Sequence, residues 1–200
     1  MDEKEENVTN MSKKCNADPL YSKLLPRYCA YIRQCFEFAE ANIEYNMTKR
    51  KRQGRKFALV MDFDGVFMAE GSCLNDEMFS CTISFVQYIH QTYGNNLPIY
   101  IITARAEPSV IIKVLAQLGM SVGSGANNQI RDVFCDNKGV GTAVSKLENR
   151  NRVRDAGYYI LCTIGDNVLD LQTEEETEGY ADTINVLLPN VWRQRSLRNL

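Results

Sequence analysis

The chain has no cysteine pair in Cys-x-x-Cys spacing, no apolar run of membrane-spanning length, no strong excess of either charge and no internal repeat. Each absence removes a class of answer. Seven cysteines, at 15, 29, 35, 73, 81, 135 and 162, are odd in number and scattered. That distribution argues against a zinc site, and the apolar surroundings of Cys29, Cys35, Cys135 and Cys162 point to buried reduced thiols. A spanning helix needs roughly 20 apolar residues in succession, and none are present. The polar, acidic opening from Met1 to Asn10 lacks the basic and apolar regions of an export signal. The expectation is a cytoplasmic protein without a membrane partner. The triplets Asn7-Val8-Thr9, Asn10-Met11-Ser12 and Asn46-Met47-Thr48 are then chance matches to the glycosylation pattern. A formal net charge of -2 over 200 residues calls for neither nucleic acid nor membrane.

What is present suits one globular domain, with 44% hydrophobic and 24% charged residues. Residues 1–16 are polar with almost no apolar anchor and read as a disordered tail, leaving 17–200 as a single domain. Within it, 17–56 is a helical segment and basic linker: Tyr28, Ile32, Cys35, Phe36, Ala39 and Ile43 recur at helical spacing, with Pro26 in the first turn. The run from Lys49 to Lys56 carries six basic residues in eight. It reads as a solvated linker, with nucleic acid as the alternative partner for such a charge cluster.

From 57 to 190 apolar runs of strand length alternate with helical patterns. Strands are expected at Phe57–Met61, Leu97–Ile102, Val133–Cys135, Tyr158–Ile164 and, at an edge, Ile184–Leu188; helices at Asn75–Tyr93, Ser109–Leu118 and Gly141–Ala156. This alternation predicts an α/β fold, a doubly wound parallel sheet with helices on both faces. The acidic run Glu174 to Glu178 reads as a solvated loop.

The chemistry gathers where the strands end. Phe57 to Met61 is a buried-strand run that delivers Asp62-Phe63-Asp64-Gly65 to the carboxyl edge of the sheet, where open α/β folds bind ligands. Two aspartates two apart on extended chain point the same way. Taken alone, either could cap a helix or open a turn. Yet the second strand ends in Thr103-Ala104-Arg105 and the fourth in Gly165-Asp166, followed by Asp170. Four carboxylates on one edge need a hard cation with oxygen ligands, and Mg²⁺ suits them. Thr103 offers a hydroxyl, and the amides after it are expected to open a helix, a natural seat for a phosphoryl oxygen.

These residues resemble the four motifs of the haloacid-dehalogenase (HAD)-like phosphatases, in order: Asp62-Phe63-Asp64-Gly65-Val66, Thr103-Ala104-Arg105, Lys146, and Gly165-Asp166-Asn167-Val168-Leu169-Asp170. More narrowly, the chain resembles the plant vegetative storage protein and class B acid phosphatase branch. That likeness rests on Lys146-Leu147-Glu148-Asn149-Arg150, Gly157-Tyr158, Ile164-Gly165-Asp166, Leu188-Pro189-Asn190 and the stretch from Pro26 to Tyr31. The resemblance implies a Mg²⁺-dependent phosphomonoesterase. Asp62 would be the nucleophile and Asp64 the general acid and base. Thr103, the Ala104 position and Lys146 would bind the phosphoryl group. Asp62, the backbone carbonyl of Asp64 and Asp166 would ligate the metal, with Asp170 a ligand or an orienter behind it. Lys138, also between the third strand and the fourth motif, competes with Lys146 for the third-motif role. The short stretch between Gly65 and Thr103 leaves room only for a minimal cap over 68–97.

Two other functions fit the same residues. One is a phosphatase of phosphoproteins or nucleic-acid ends. The other is a catalytically idle storage or binding descendant, against which the presence of both Asp62 and Asp64 weighs.

Overall fold

Five short apolar runs line up as one parallel sheet in the computed structural model, which describes residues 19–50, 54–68, 76–136, 140–177 and 183–189. The strands are β1 (Lys56–Met61), β2 (Ile99–Ile102), β3 (Ile130–Phe134), β4 (Tyr158–Gly165) and β5 (Ile184–Leu187). Their order is β3-β2-β1-β4-β5, every neighbouring pair parallel. The chain therefore leaves β1 toward one side of the sheet and returns to the other, making the gap between β1 and β4 the switch point where such folds place ligands.

Period-two alternation along β1 divides the core. Phe57, Leu59 and Met61 face one cluster and Ala58 and Val60 the other. Helices α1 (Pro19–Arg50), α2 (Asp76–Tyr93) and α3 (Pro108–Gln117) cover the first face. Their buried contributions are Ile32, Phe36, Ala39 and Ile43 from α1, Phe85, Val86 and Ile89 from α2, and Ile111 and Leu115 from α3. The rings of Phe36 and Phe85 stack at 4.6 Å and join α1 to α2. Burying each such ring contributes roughly 1.5–3 kcal/mol. The second face is covered by α4 (Thr142–Asp155), whose Val153 packs on Val60, Tyr100, Ile102 and Ile160. The sheet is doubly wound, with helices on both faces.

Several boundaries differ from those the sequence suggests. Helix α1 starts at Pro19, where a missing N–H costs nothing, so Pro26 lies in its interior rather than in its first turn. β3 begins at Ile130, ahead of the expected Val133, because an edge strand tolerates the polar pair Arg131 and Asp132. The acidic run is not simply solvated: Glu175–Thr177 forms a 3-10 turn and the Glu176 side chain is buried among arginines. Residues 1–16, most of the basic run's middle (51–53) and the 69–75 part of the expected cap lie outside the described residues, as do Cys15, Cys73 and Lys138. The five described cysteines are free thiols, and burial pushes that of Cys162 well above its ordinary range. Among the described residues no helix is long and apolar enough to cross a membrane.

Candidate functional site

Backbone pairing carries the sheet one residue past β1 and so fixes Asp62. Its N–H donates to the carbonyl of Ile164 at 2.8 Å. Met61 is in register with Ile101 on one side and Ile164 on the other, which sets Thr103 and Asp166 level with Phe63. One carboxylate oxygen from each of Asp62, Asp166 and Asp170 lies within 4.8 Å of the others. Asp62 and Asp170 are buried and Asp166 partly exposed.

Glycines make this approach possible. Gly65 has φ +72°, and a Cβ there would overlap the carboxyl of Asp166; a Cβ on Gly165 would overlap Asp170. The carboxylates are thus seated directly on backbone.

Helix α4 supplies the countercharge. The Lys146 ammonium donates to Oδ1 of Asp170 and lies 3.1 Å from Oδ1 of Asp62. Four and eight residues on, Arg150 and Arg154 lie on the same side of the helix. Arg150 donates to the carbonyl of Leu169 at 3.1 Å and, through two nitrogens, to both oxygens of Glu176 at 2.8 and 2.9 Å. Arg154 reaches the same Glu176 at 3.0 Å and donates to Oε1 of Gln172. One face of α4 therefore holds the loop that carries Asp166 and Asp170. Burial pushes the Glu176 carboxyl up, but hydrogen bonds from Arg150, Thr173 and Arg154 outweigh it and hold it below its ordinary value. Within the loop, Asp170 Oδ2 accepts the N–H of Asn167 at 2.8 Å and Asn167 Oδ1 accepts that of Leu169 at 3.2 Å, a capping box around the 3-10 turn Val168–Asp170. Both oxygens of Asp170 are thereby engaged, the geometry of an orienting group.

Asp62 is different. Its Oδ1 is buried and, beyond the ion contact with Lys146, has no hydrogen-bond partner among the described residues. Burial pushes its carboxyl up to about 8, against the opposing pull of Lys146 and with the charge of Asp170 adding to the rise. Lys146 is itself held above its usual range, since the two aspartates outweigh the effect of burial.

Asp64 stands apart from these three. Its carboxylate is gripped by Arg105: Nε donates to Oδ1 at 3.1 Å and Oδ2 at 2.9 Å, and the terminal nitrogen to Oδ1 at 2.6 Å. Its carboxylate lies outside the cluster of three that could hold a metal ion. Thr103 is buried at the end of β2, with its N–H donated to Phe134 at 3.0 Å and its hydroxyl oxygen accepting the N–H of Arg105 at 3.2 Å. Its hydroxyl proton remains available to an acceptor. Ala104 is exposed. The amides after Thr103 do not open a helix, contrary to expectation: the loop Ala104–Glu107 intervenes, and α3 starts at Pro108 behind an acidic N-cap, Glu107.

Among the described residues, Lys146 stands against Asp62 and Asp170, and Arg105 against Asp64. Three hard oxygen donors within 4.8 Å of one another, two of them on buried side chains, could hold a divalent cation. Sequence reasoning named every carboxylate here but gave no role to Arg105, Asn167 or Arg150. The four-residue spacing of Lys146, Arg150 and Arg154 was the one visible signal for the arginine clasp. No protein-family model matches the chain, and no curated protein shows significant sequence similarity to it.

Proposed function

We propose that this chain is a Mg²⁺-dependent phosphomonoesterase of HAD-like type that works through an aspartyl-phosphate on Asp62. The observation that carries the proposal is the buried Asp62 carboxylate, held at a β1/β4 switch point among Asp166, Asp170 and Lys146. An oxygen of Asp62 attacks phosphorus as the bond to the leaving oxygen breaks, and Asp64 donates its proton to that oxygen. To donate, Asp64 must first give up the Arg105 hydrogen bonds that occupy both of its oxygens. It then takes a proton from the water that attacks the aspartyl-phosphate, releasing inorganic phosphate and restoring Asp62. Lys146 and the Thr103 hydroxyl stabilise charge on the transferring oxygens. Asp62, the Asp64 carbonyl and Asp166 would hold Mg²⁺, which when bound would supply further charge neutralisation.

The test is a panel of phosphorylated metabolites, nucleotides, phosphopeptides and end-phosphorylated oligonucleotides, assayed with Mg²⁺ and with chelator. Mg²⁺-dependent release of phosphate from small monoesters is the expected result. Turnover confined to phosphopeptides or oligonucleotides would move the substrate to macromolecules. No turnover of any member would replace the enzyme with a binding or storage protein.

A further inference from the structure

Asp64 and Asp62 lie two residues apart, yet only Asp62 shares the carboxylate cluster. Asp64 is instead paired with Arg105. Its guanidinium covers both oxygens of Asp64, and its carbon stands 5.4 Å from the ring centre of Phe63, the residue between the two aspartates. The backbone of Arg105 is tied as well: its carbonyl accepts the N–H of Asp136 at 3.0 Å and its N–H reaches the Thr103 hydroxyl. A two-pronged guanidinium grip fixes the plane of a carboxylate as well as its position, which an ammonium does not. The face of an aromatic ring adds a second restraint on the guanidinium. Charge divides along the same line. Arg105 pairs with Asp64, whereas Lys146 pairs with Asp62 and Asp170.

We infer that Arg105 is a positioning residue that withholds the Asp64 carboxylate from the divalent cation, so that three aspartates serve the metal side and the fourth stays on the side of the leaving group. The inference rests on the metal-dependent function proposed above and adds to it the residue that separates two roles within one Asp-x-Asp pair. Released from Arg105, Asp64 would become an additional oxygen ligand for a cation seated beside Asp62.

Mn²⁺ titrations of the purified full chain by calorimetry test this in four forms: wild type, Arg105→Met, Asp64→Asn and the double variant. Arg105→Met is expected to bind Mn²⁺ at least about fivefold more tightly than wild type, within the range of coupling between contacting residues. In the Asp64→Asn background the same change is expected to shift affinity by less than about twofold. Loss of a nearby positive charge would favour any cation equally in both backgrounds, so an equal shift in the two overturns the inference. An unchanged affinity in Arg105→Met overturns it too. Arg105→Lys, which keeps the charge and loses the grip, is expected to tighten binding in the same direction and carries the test if circular dichroism shows Arg105→Met unfolded. Absence of Mn²⁺ binding by the wild type overturns the metal-dependent reading itself, and this inference with it.

Discussion

Gly65 lies so close beneath Asp166 that a methyl group at position 65 would occupy the space of the Asp166 carboxyl. Asp166 can stand beside Asp62 only because the chain after β1 has no side chain at that point.

Gly65→Ala should therefore separate site from fold. Its φ of +72° adds backbone strain of roughly 1–2 kcal/mol, and Asp166 is driven away from Asp62. Gly54, at φ +67° with open space around it, supplies the matched control, since Gly54→Ala brings the strain without the collision. Thermal melts should show the Mg²⁺-dependent rise in Tm lost in Gly65→Ala and retained in Gly54→Ala. A rise retained in both would detach Asp166 from the metal.

Asp62 imposes a pH dependence on the metal-free protein. Its pKa is raised in the folded state from 3.8 to about 8, so the folded chain holds a proton that the unfolded chain has released. The associated stability is present in full below pH 3.8 and is lost as pH rises toward about 8. In chelator, the Tm of wild type should fall between pH 5.5 and 8.5 relative to Asp62→Asn, and Mg²⁺ should raise Tm more at the higher pH. Parallel pH profiles for the two proteins would remove Asp62 as the source.

Asp62→Asn should also abolish turnover, because an amide is a poor nucleophile. For Asp64→Asn the loss should depend on the leaving group, since a good leaving oxygen needs less protonation. In single-turnover phosphoryl transfer, aryl phosphates should suffer less than alkyl phosphates. Equal losses would argue against proton donation by Asp64.

Lys146 contacts both Asp62 and Asp170 from a rigid helix, so Lys146→Ala should lower kcat/KM by about 100-fold or more. Removing one partner of a buried ion pair also costs about 3–5 kcal/mol, so Tm should fall while circular dichroism still reports a folded chain. Lys138→Ala should change kcat/KM by less than about tenfold. The reverse ordering of the two variants would assign the phosphoryl contact to Lys138.

The sheet was legible because buried parallel strands are continuous apolar runs, and β1, β4 and β5 fall within a residue of where the runs lie. β3 was harder to read, since as an edge strand it leaves Asp132 exposed and its apolar signal is broken. The aspartates were legible as residues placed after strand runs. What they touch was not. The grip of Arg105 on Asp64 joins positions 41 residues apart, and nothing local in either segment marks the pairing. The burial of Glu176 was hidden for a similar reason: a run of acidic residues looks solvated until Arg150 and Arg154 are seen across from it.

The switch point also dictates when the site can exist during biosynthesis and refolding. Asp62 and Asp166 directly follow adjacent strands but are separated by about half the chain, and a parallel partner cannot be reached through a tight turn. β4 can dock on β1 only after α2, β2, α3, β3 and α4 have been threaded between them, an assembly of high contact order and correspondingly slow closure. A nascent chain that has released β1 through β3 carries Asp62 but neither Asp166 nor Asp170. A cation-sensitive signal in a refolding experiment would accordingly appear in the step that seats β4, and would time the completion of the topology rather than the collapse of the core.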